Sequence, residues 1–294
     1  MKTIDVIYSP ICEANGAFLE QLEEWLKGTD VKINYIPYDS LTSKEVGWYK
    51  AQGTIREKCK LVSSVFIDVF YNEKLIATVP LKKEKIEQAL NIHIKEHEQE
   101  SMSKTAQAIS VSQFRAAILK GEIEWIPITI ANYEDEMTMC LKNYPYGNPP
   151  KRFHKKCVEI KKKVFLEVLE KENIAGIYAK YQGKVIGLLE IFPREIMRKY
   201  GFLTGNKGDD EDYLTVGCYE VGFGIPRKEM IDELMFQLEK YYSKFIRTYL
   251  EGIGVFEWNE GFMPYWVYDK YDFHKTESIK ENTVVMEKEI YEYR

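Results

Sequence analysis

Positions 213–273 run strand, long helix, strand and short tyrosine-rich helix, an order that constrains folding more than any other segment of the chain. YLTVGCYEVGFGI (213–225) reads as a central strand, and a helix is expected over 227–249, with Pro226 as its start signal. A strand follows over 253–258, then a helix ending in YDKYDF. Such elements bury their apolar faces only by packing helix on sheet, the layered plan of α/β folds.

The surrounding elements extend that plan. EWIPITIANYEDEMTMCLK reads as a strand and a helix with Asn132 as N-cap. NYPYGNPP is a loop, because its turn residues exclude regular structure. The amphipathic helix expected over 151–172 carries the basic clusters KRFHKK and KKK, either a phosphate-binding surface or a solvated face. IAGIYAKYQGKVIGLLEIFP forms a hairpin turning at Gln182–Gly183. REIMRKYGFLTGNKGDDED is expected to be a long irregular connection with a flexible acidic tip, and the last strand falls at 282–290. The order β-α-α-β-β-β-α-β-α-β predicts a central mixed sheet with helices on both faces.

At 294 residues, two domains are expected. KTIDVIYS is a buried strand, a helix follows over 13–27, and Gly28 stops it. A strand (31–38), a helix (43–52), a hairpin turning at Asn72–Glu73 and a helix (82–95) complete a first domain, 1–95. The polar stretch 96–112 is the linker, and 113–294 is the second domain.

The net charge of −5 argues against a general nucleic-acid binder, which needs a surplus of Lys and Arg. No apolar run reaches membrane-spanning length, and the N-terminus reads as a strand and not as a leader, so a cytoplasmic protein is expected. Five scattered cysteines fit reduced thiols better than a disulfide framework. His93 and His97 lie in the polar run NIHIKEHEQES, a solvated helix end, and no metal site is expected.

The βαβα-ββα order of residues 1–95 resembles the thioredoxin-like fold. That resemblance puts Cys12 where such proteins carry a nucleophilic cysteine, at a helix N-terminus that favours thiolate. The motif is Cys12-Glu13-Ala14-Asn15, with Asn15 in the place of a resolving cysteine and Val65 in the place of the usual cis-proline. A redox-inactive docking domain and a monothiol role for Cys12 are both open.

Residues 122–292 resemble the GNAT N-acetyltransferase superfamily, through GKVIGLLEIFP, a central strand ending in valine, and VYDKYDF. It looks closest to a bacterial branch that joins such a module to a small thioredoxin-like piece, here in reversed order. The resemblance implies acetyl-CoA as acyl donor and a small-molecule or peptide amine as acceptor. It assigns the pantetheine contacts to Tyr219, Glu220 and Val221, proton donation to the leaving thiolate to Tyr268, and the base to Glu220 or Glu190. The pyrophosphate falls on 226–231, with Arg227, Lys228, Met230 and Ile231 as its contacts. Two departures stand out: Pro226–Ile231 lacks both glycines of the family's phosphate turn and adds Glu229, and Asp272–Phe273 replaces a Gly-Phe pair. Three readings follow: an N-acyltransferase, an inactive binding protein with the same two folds, or thiol chemistry at Cys12. Tyr268 also has the ordinary reading of a buried aromatic, and Glu220 that of a solvated strand residue.

Overall fold

The computed structural model describes residues 1–51, 67–78, 81–94, 108–137, 152–222, 224–258 and 262–291. Cys59, Val65, His97, Cys140, the loop at 143–150 and most of the expected linker lie outside them.

Strand β1 (Lys2–Tyr8) buries Ile4, Val6 and Tyr8 against Leu19, Leu22 and Leu26 of α1 (Glu13–Leu26), whose three- and four-residue spacing puts them on one helix face. Helix α1 carries the chain across to β2 (Val31–Pro37), parallel to β1. After α2 (Ser43–Ala51), β3 (Ile67–Tyr71) and β4 (Lys74–Thr78) form a hairpin antiparallel to β1. Asn72 and Glu73 take φ of 47° and 65° in its turn, as a two-residue connection requires. The sheet order is β2-β1-β3-β4. Helix α3 (Lys83–Leu90) ends before the expected residue 95, because Asn91 adopts a left-handed cap.

The second sheet is built from β5 (Ile123–Pro127), β6 (Gly176–Tyr181), β7 (Lys184–Pro193), β8 (Tyr213–Val221), β9 (Tyr249–Val255), β10 (His274–Lys280) and β11 (Thr283–Glu289), in the order β10-β11-β9-β8-β7-β6-β5. Helix α4 (Val111–Leu119) opens with a Ser110/Gln113 capping box and buries Phe114 in this module's core, so the expected linker already becomes helix at 111. Helix α5 (Arg152–Lys171) covers one sheet face; α7 (Arg227–Leu238) and α8 (Tyr265–Asp269) cover the other. Between β7 and β8, α6 (Arg194–Lys199) occupies the start of the supposedly irregular connection.

The second sheet departs from the sequence expectation in further places. Helix α7 stops at Leu238 and β9 begins at Tyr249, because β9 is paired along its whole length to β11 and at its start to β8. Strand β10 was not anticipated: HKTESIK sits at the sheet edge, where one-sided solvation removes the apolar pattern that marks inner strands. Asn132 does not cap the short turn Tyr133–Glu136 through its side chain; instead it bonds back to Thr129 N and Pro127 O.

The two modules interlock. Helix α1 runs antiparallel to α5, with Gly16 against His154, Glu20 accepting from the Phe153 amide (2.6 Å) and Glu23 paired to Arg152 (2.8 Å). A Cβ on Gly16 would lie 2.5 Å from the His154 Cα, so only glycine allows this approach. Phe153 of α5 is buried in the first module's core, its ring tilted against that of Tyr35 with centroids 4.5 Å apart. Ile11, conversely, is buried in the second module's apolar cluster on the α5 side. No helix among the described residues is long and apolar enough to cross a membrane.

Candidate active site

Strands β8 and β9 are the parallel neighbours of the second sheet, and they pair only at Tyr213–Tyr249, Leu214–Leu250 and Thr215–Glu251. Beyond Thr215, β8 stays paired with β7, with its register shifted by one, but has no β9 partner among the described residues. The cause is a bulge: Ile191 opposes Val216 while the adjacent Glu190 opposes Cys218, leaving Gly217 as an extra residue. The strands diverge into a V whose mouth lies at their carboxyl ends, where α7 begins. Crevices at the carboxyl ends of parallel strands are where open α/β sheets bind ligands.

The closed end of the V is fastened by buried charge. Glu251, fully buried, accepts from Thr215 Oγ1 (2.8 Å), from the Gly205 amide (3.1 Å) and from Arg194 Nη2 (2.5 Å). Arg194 lies 3.4 Å from the centre of the Tyr213 ring and donates to Lys207 O (2.5 Å). Asn206 bonds Glu277 and Arg198 pairs with Asp210 (2.8 Å), so the tip expected to be flexible is tied down at several points.

The bulge also decides which side chains face which helix. Leu214 and Val216 point to the α7 side; past Gly217 so do Tyr219 and Val221, leaving Cys218 and Glu220 on the α5 side. On the α7 side, Tyr268 is buried in the core, its ring pressed on Gly252 and edge-on to Phe273 at 5.3 Å. Burial first, then Tyr219 and Glu251, hold its phenol well above the usual range, so it keeps its proton. Tyr219 lies under Arg227 (5.4 Å), and burial pushes its phenol up against the opposing pull of that guanidinium. A Cβ at Gly252 would fall 2.3 Å from the Tyr268 ring. Gly252→Ala is therefore expected to displace that ring and cost about 1–3 kcal/mol of stability, read as a lower urea midpoint with altered near-UV dichroism. An unchanged near-UV spectrum would contradict this packing.

Helix α7 starts at the mouth of the V. Its Met230 amide donates to Pro226 O (2.9 Å), so the amides left without intrahelical partners are those of 227–229. Met230 and Ile231, expected as pyrophosphate contacts, have side chains fully buried in the core, on the apolar face the helix needs for packing. Arg227 and Lys228 remain at the first turn, Lys228 over the Trp258 ring (5.7 Å). Asp272 has φ of 61°, the left-handed conformation that glycine favours.

On the α5 side, Glu190 is buried and ion-paired to Lys161 Nζ at 2.7 Å. Its cross-strand neighbour Cys218 has its thiol pushed well up, by burial first and then by Glu190, against the opposing Lys161. Cys218 is half-buried. Glu220, half-buried, lies on the same face. Burial lowers the pKa of His154. Cys12, half-buried, occupies the N-cap position of α1.

Lys161, Cys218, Arg194 and Glu251 were not anticipated. For Lys161 a signal existed: it falls in phase with Phe153, Cys157, Val164 and Val168, the buried stripe of α5, so its ammonium had to meet a buried anion. Among the described residues, no group of three or more His, Cys, Asp or Glu is arranged to hold a metal.

No family model and no curated protein sequence matches the chain. Solved structures that align with it include a GNAT-family acetyltransferase from Streptococcus pneumoniae (10% identity, 57% of this chain and 99% of that one, TM-score 0.36). Others are a GNAT-family acetyltransferase from Bacillus cereus (12%, 57% and 96%, 0.35) and an N-acetyltransferase from Thermoplasma acidophilum in complex with coenzyme A (12%, 57% and 98%, 0.36).

Proposed function

We propose that the second module is a GNAT-like acyltransferase that moves an acetyl group from acetyl-CoA to an amine, with a thioredoxin-like first module docked on its α5 side. The divergence of β8 from β9 after Thr215, with α7 opening at its mouth, carries this reading. The strand order β2-β1-β3-β4 supports the identity of the first module.

The chain's residues fit the donor as follows. Past Thr215, β8 pairs with β7 and has no β9 partner among the described residues, so an extended pantetheine arm would lie along the β9-facing edge of 216–221. The amides of 227–229, with Arg227 and Lys228, form a cationic helix start for the pyrophosphate in place of a glycine turn. Tyr268, kept protonated by burial, is an acid for a departing thiolate. Glu190 is committed to Lys161, so proton acceptance from an amine falls to Glu220.

Acetyl-CoA is expected to raise the melting temperature, because a ligand that binds only the folded state adds about 2.7 kcal/mol at a hundredfold excess over Kd. No shift at millimolar acetyl-CoA overturns the reading. It would favour a non-catalytic binding protein, consistent with the exposed aromatic group Phe256, Tyr265 and Trp266 beside the V.

A further inference from the structure

The α5 side of the site carries a buried charge pair with no part in the chemistry above. Lys161 Nζ lies 2.7 Å from Glu190 Oε1, with the side chains 3% and 4% exposed, and 5.9 Å from the centre of the Phe165 ring. Taking two opposite charges out of water costs about as much as their attraction returns, and apolar residues of similar volume often serve stability as well or better. The best-attested use of such buried polar groups is to fix register, because a charge with only one place to find its partner excludes the alternatives.

Register is the unusual property of the strand pair that Glu190 joins. Phe192 opposes Thr215 and Ile191 opposes Val216, but Glu190, Leu189 and Leu188 oppose Cys218, Tyr219 and Glu220. A straight continuation would pair Glu190 with Gly217, Leu189 with Cys218 and Leu188 with Tyr219. Glu190 is thus the residue at which the two registers first differ. The straight register would turn the Glu220 carboxylate into the α7-side core and bring Tyr219 beneath α5. There it would stand diagonal to Glu190, within reach of an aromatic ring, in the space that the Lys161 side chain fills.

Helix α5 presents Lys161 from a fixed height because it is fastened at both ends. At its start the Phe153 amide donates to Glu20 (2.6 Å); just past its end Glu172 accepts from Arg247 Nε (2.9 Å) and from the Ile246 amide (2.7 Å).

We propose that Lys161 and Glu190 are positioning residues that clamp β8 in its bulged register and so keep the V open to the acyl donor. The donor half rests on the acyl-CoA reading above; the register half stands on the strand pairing alone.

The test compares the wild type with Lys161→Met/Glu190→Leu, which removes both charges at similar volume, since either single change strands a buried charge. Three quantities are measured: the urea midpoint, amide hydrogen exchange of peptides covering 214–222, and melting temperature with and without millimolar acetyl-CoA. The double variant is expected to keep or raise the midpoint, to lose exchange protection over 214–222 alone, and to lose the acetyl-CoA-dependent melting shift of the wild type. A pair that merely stabilises gives the opposite split, a lower midpoint or a failure to fold with protection lost across the whole sheet, and that result overturns the proposal. Wild-type exchange over 214–222 in the double variant overturns it too, and so does a melting shift that survives the double change; either leaves the acyl-CoA reading standing if the wild type responds. Local loss of protection with no acetyl-CoA response in either protein keeps the register clamp and overturns the acyl-CoA reading.

Discussion

Arg194→Leu is expected to lower the unfolding free energy by about 3–5 kcal/mol, because it strands the Glu251 carboxylate in a fully buried position. Thr215 and the Gly205 amide still donate to Glu251 in this variant, but neither supplies charge. The variant also loses the cation–π contact with Tyr213 and the tether to Lys207 O, loosening the connection between β7 and β8. Desolvating a charge without its partner is what costs, so the double variant Arg194→Leu/Glu251→Leu should recover much of the loss. Urea midpoints of the wild type, both single variants and the double variant measure the coupling. Additive effects of the two changes would show that the pair does not act as a unit. Thr215–Glu251 is the last pair before the strands diverge, so this charge cluster holds the V at its apex.

Phe153→Ala is expected to cost about 3–5 kcal/mol and to destabilise both modules together. The residue belongs by sequence to the second module, yet it is buried in the core of the first, against Tyr35 and under the Arg152 guanidinium (4.4 Å). Removing the ring leaves a cavity between α1 and α5, where the Gly16 contact permits no collapse of the backbones onto each other. Unfolding followed by dichroism and by tryptophan fluorescence should give one coincident transition that moves as a whole, with Trp25 reporting on the first core and Trp125 on the second. Two separate transitions, with the second module unmoved, would contradict the interlocking of the cores.

Much of the architecture was legible from local patterns. The hairpin turns at Asn72–Glu73 and Gln182–Gly183 were readable because a two-residue connection demands left-handed backbone, which these residues tolerate. Alternation and helical spacing located most strands and helices. Strand β10 escaped because an edge strand needs no apolar face, and the extent of α7 was overestimated because β9 claims its residues through pairing with distant β11. At the site, Tyr268, Glu190 and Arg227 were named from resemblance. Met230 and Ile231 were named with them, although their apolar character suits the buried face of α7 where they lie.

The sequence alone determined the order of elements, the thiol at the start of the first helix and the absence of glycine from Pro226–Ile231, because each is a property of neighbouring residues. Only the tertiary structure decided which groups meet. The bulge at Gly217 reverses the alternation of β8, turning Cys218 and Glu220 toward α5, and no local pattern signals a residue that opposes nothing. The pairing of Lys161 with Glu190, of Arg194 with Glu251, and of Glu20 with the Phe153 amide join residues far apart in the chain. Such contacts depend on how two cores interlock, and that depends on the whole fold.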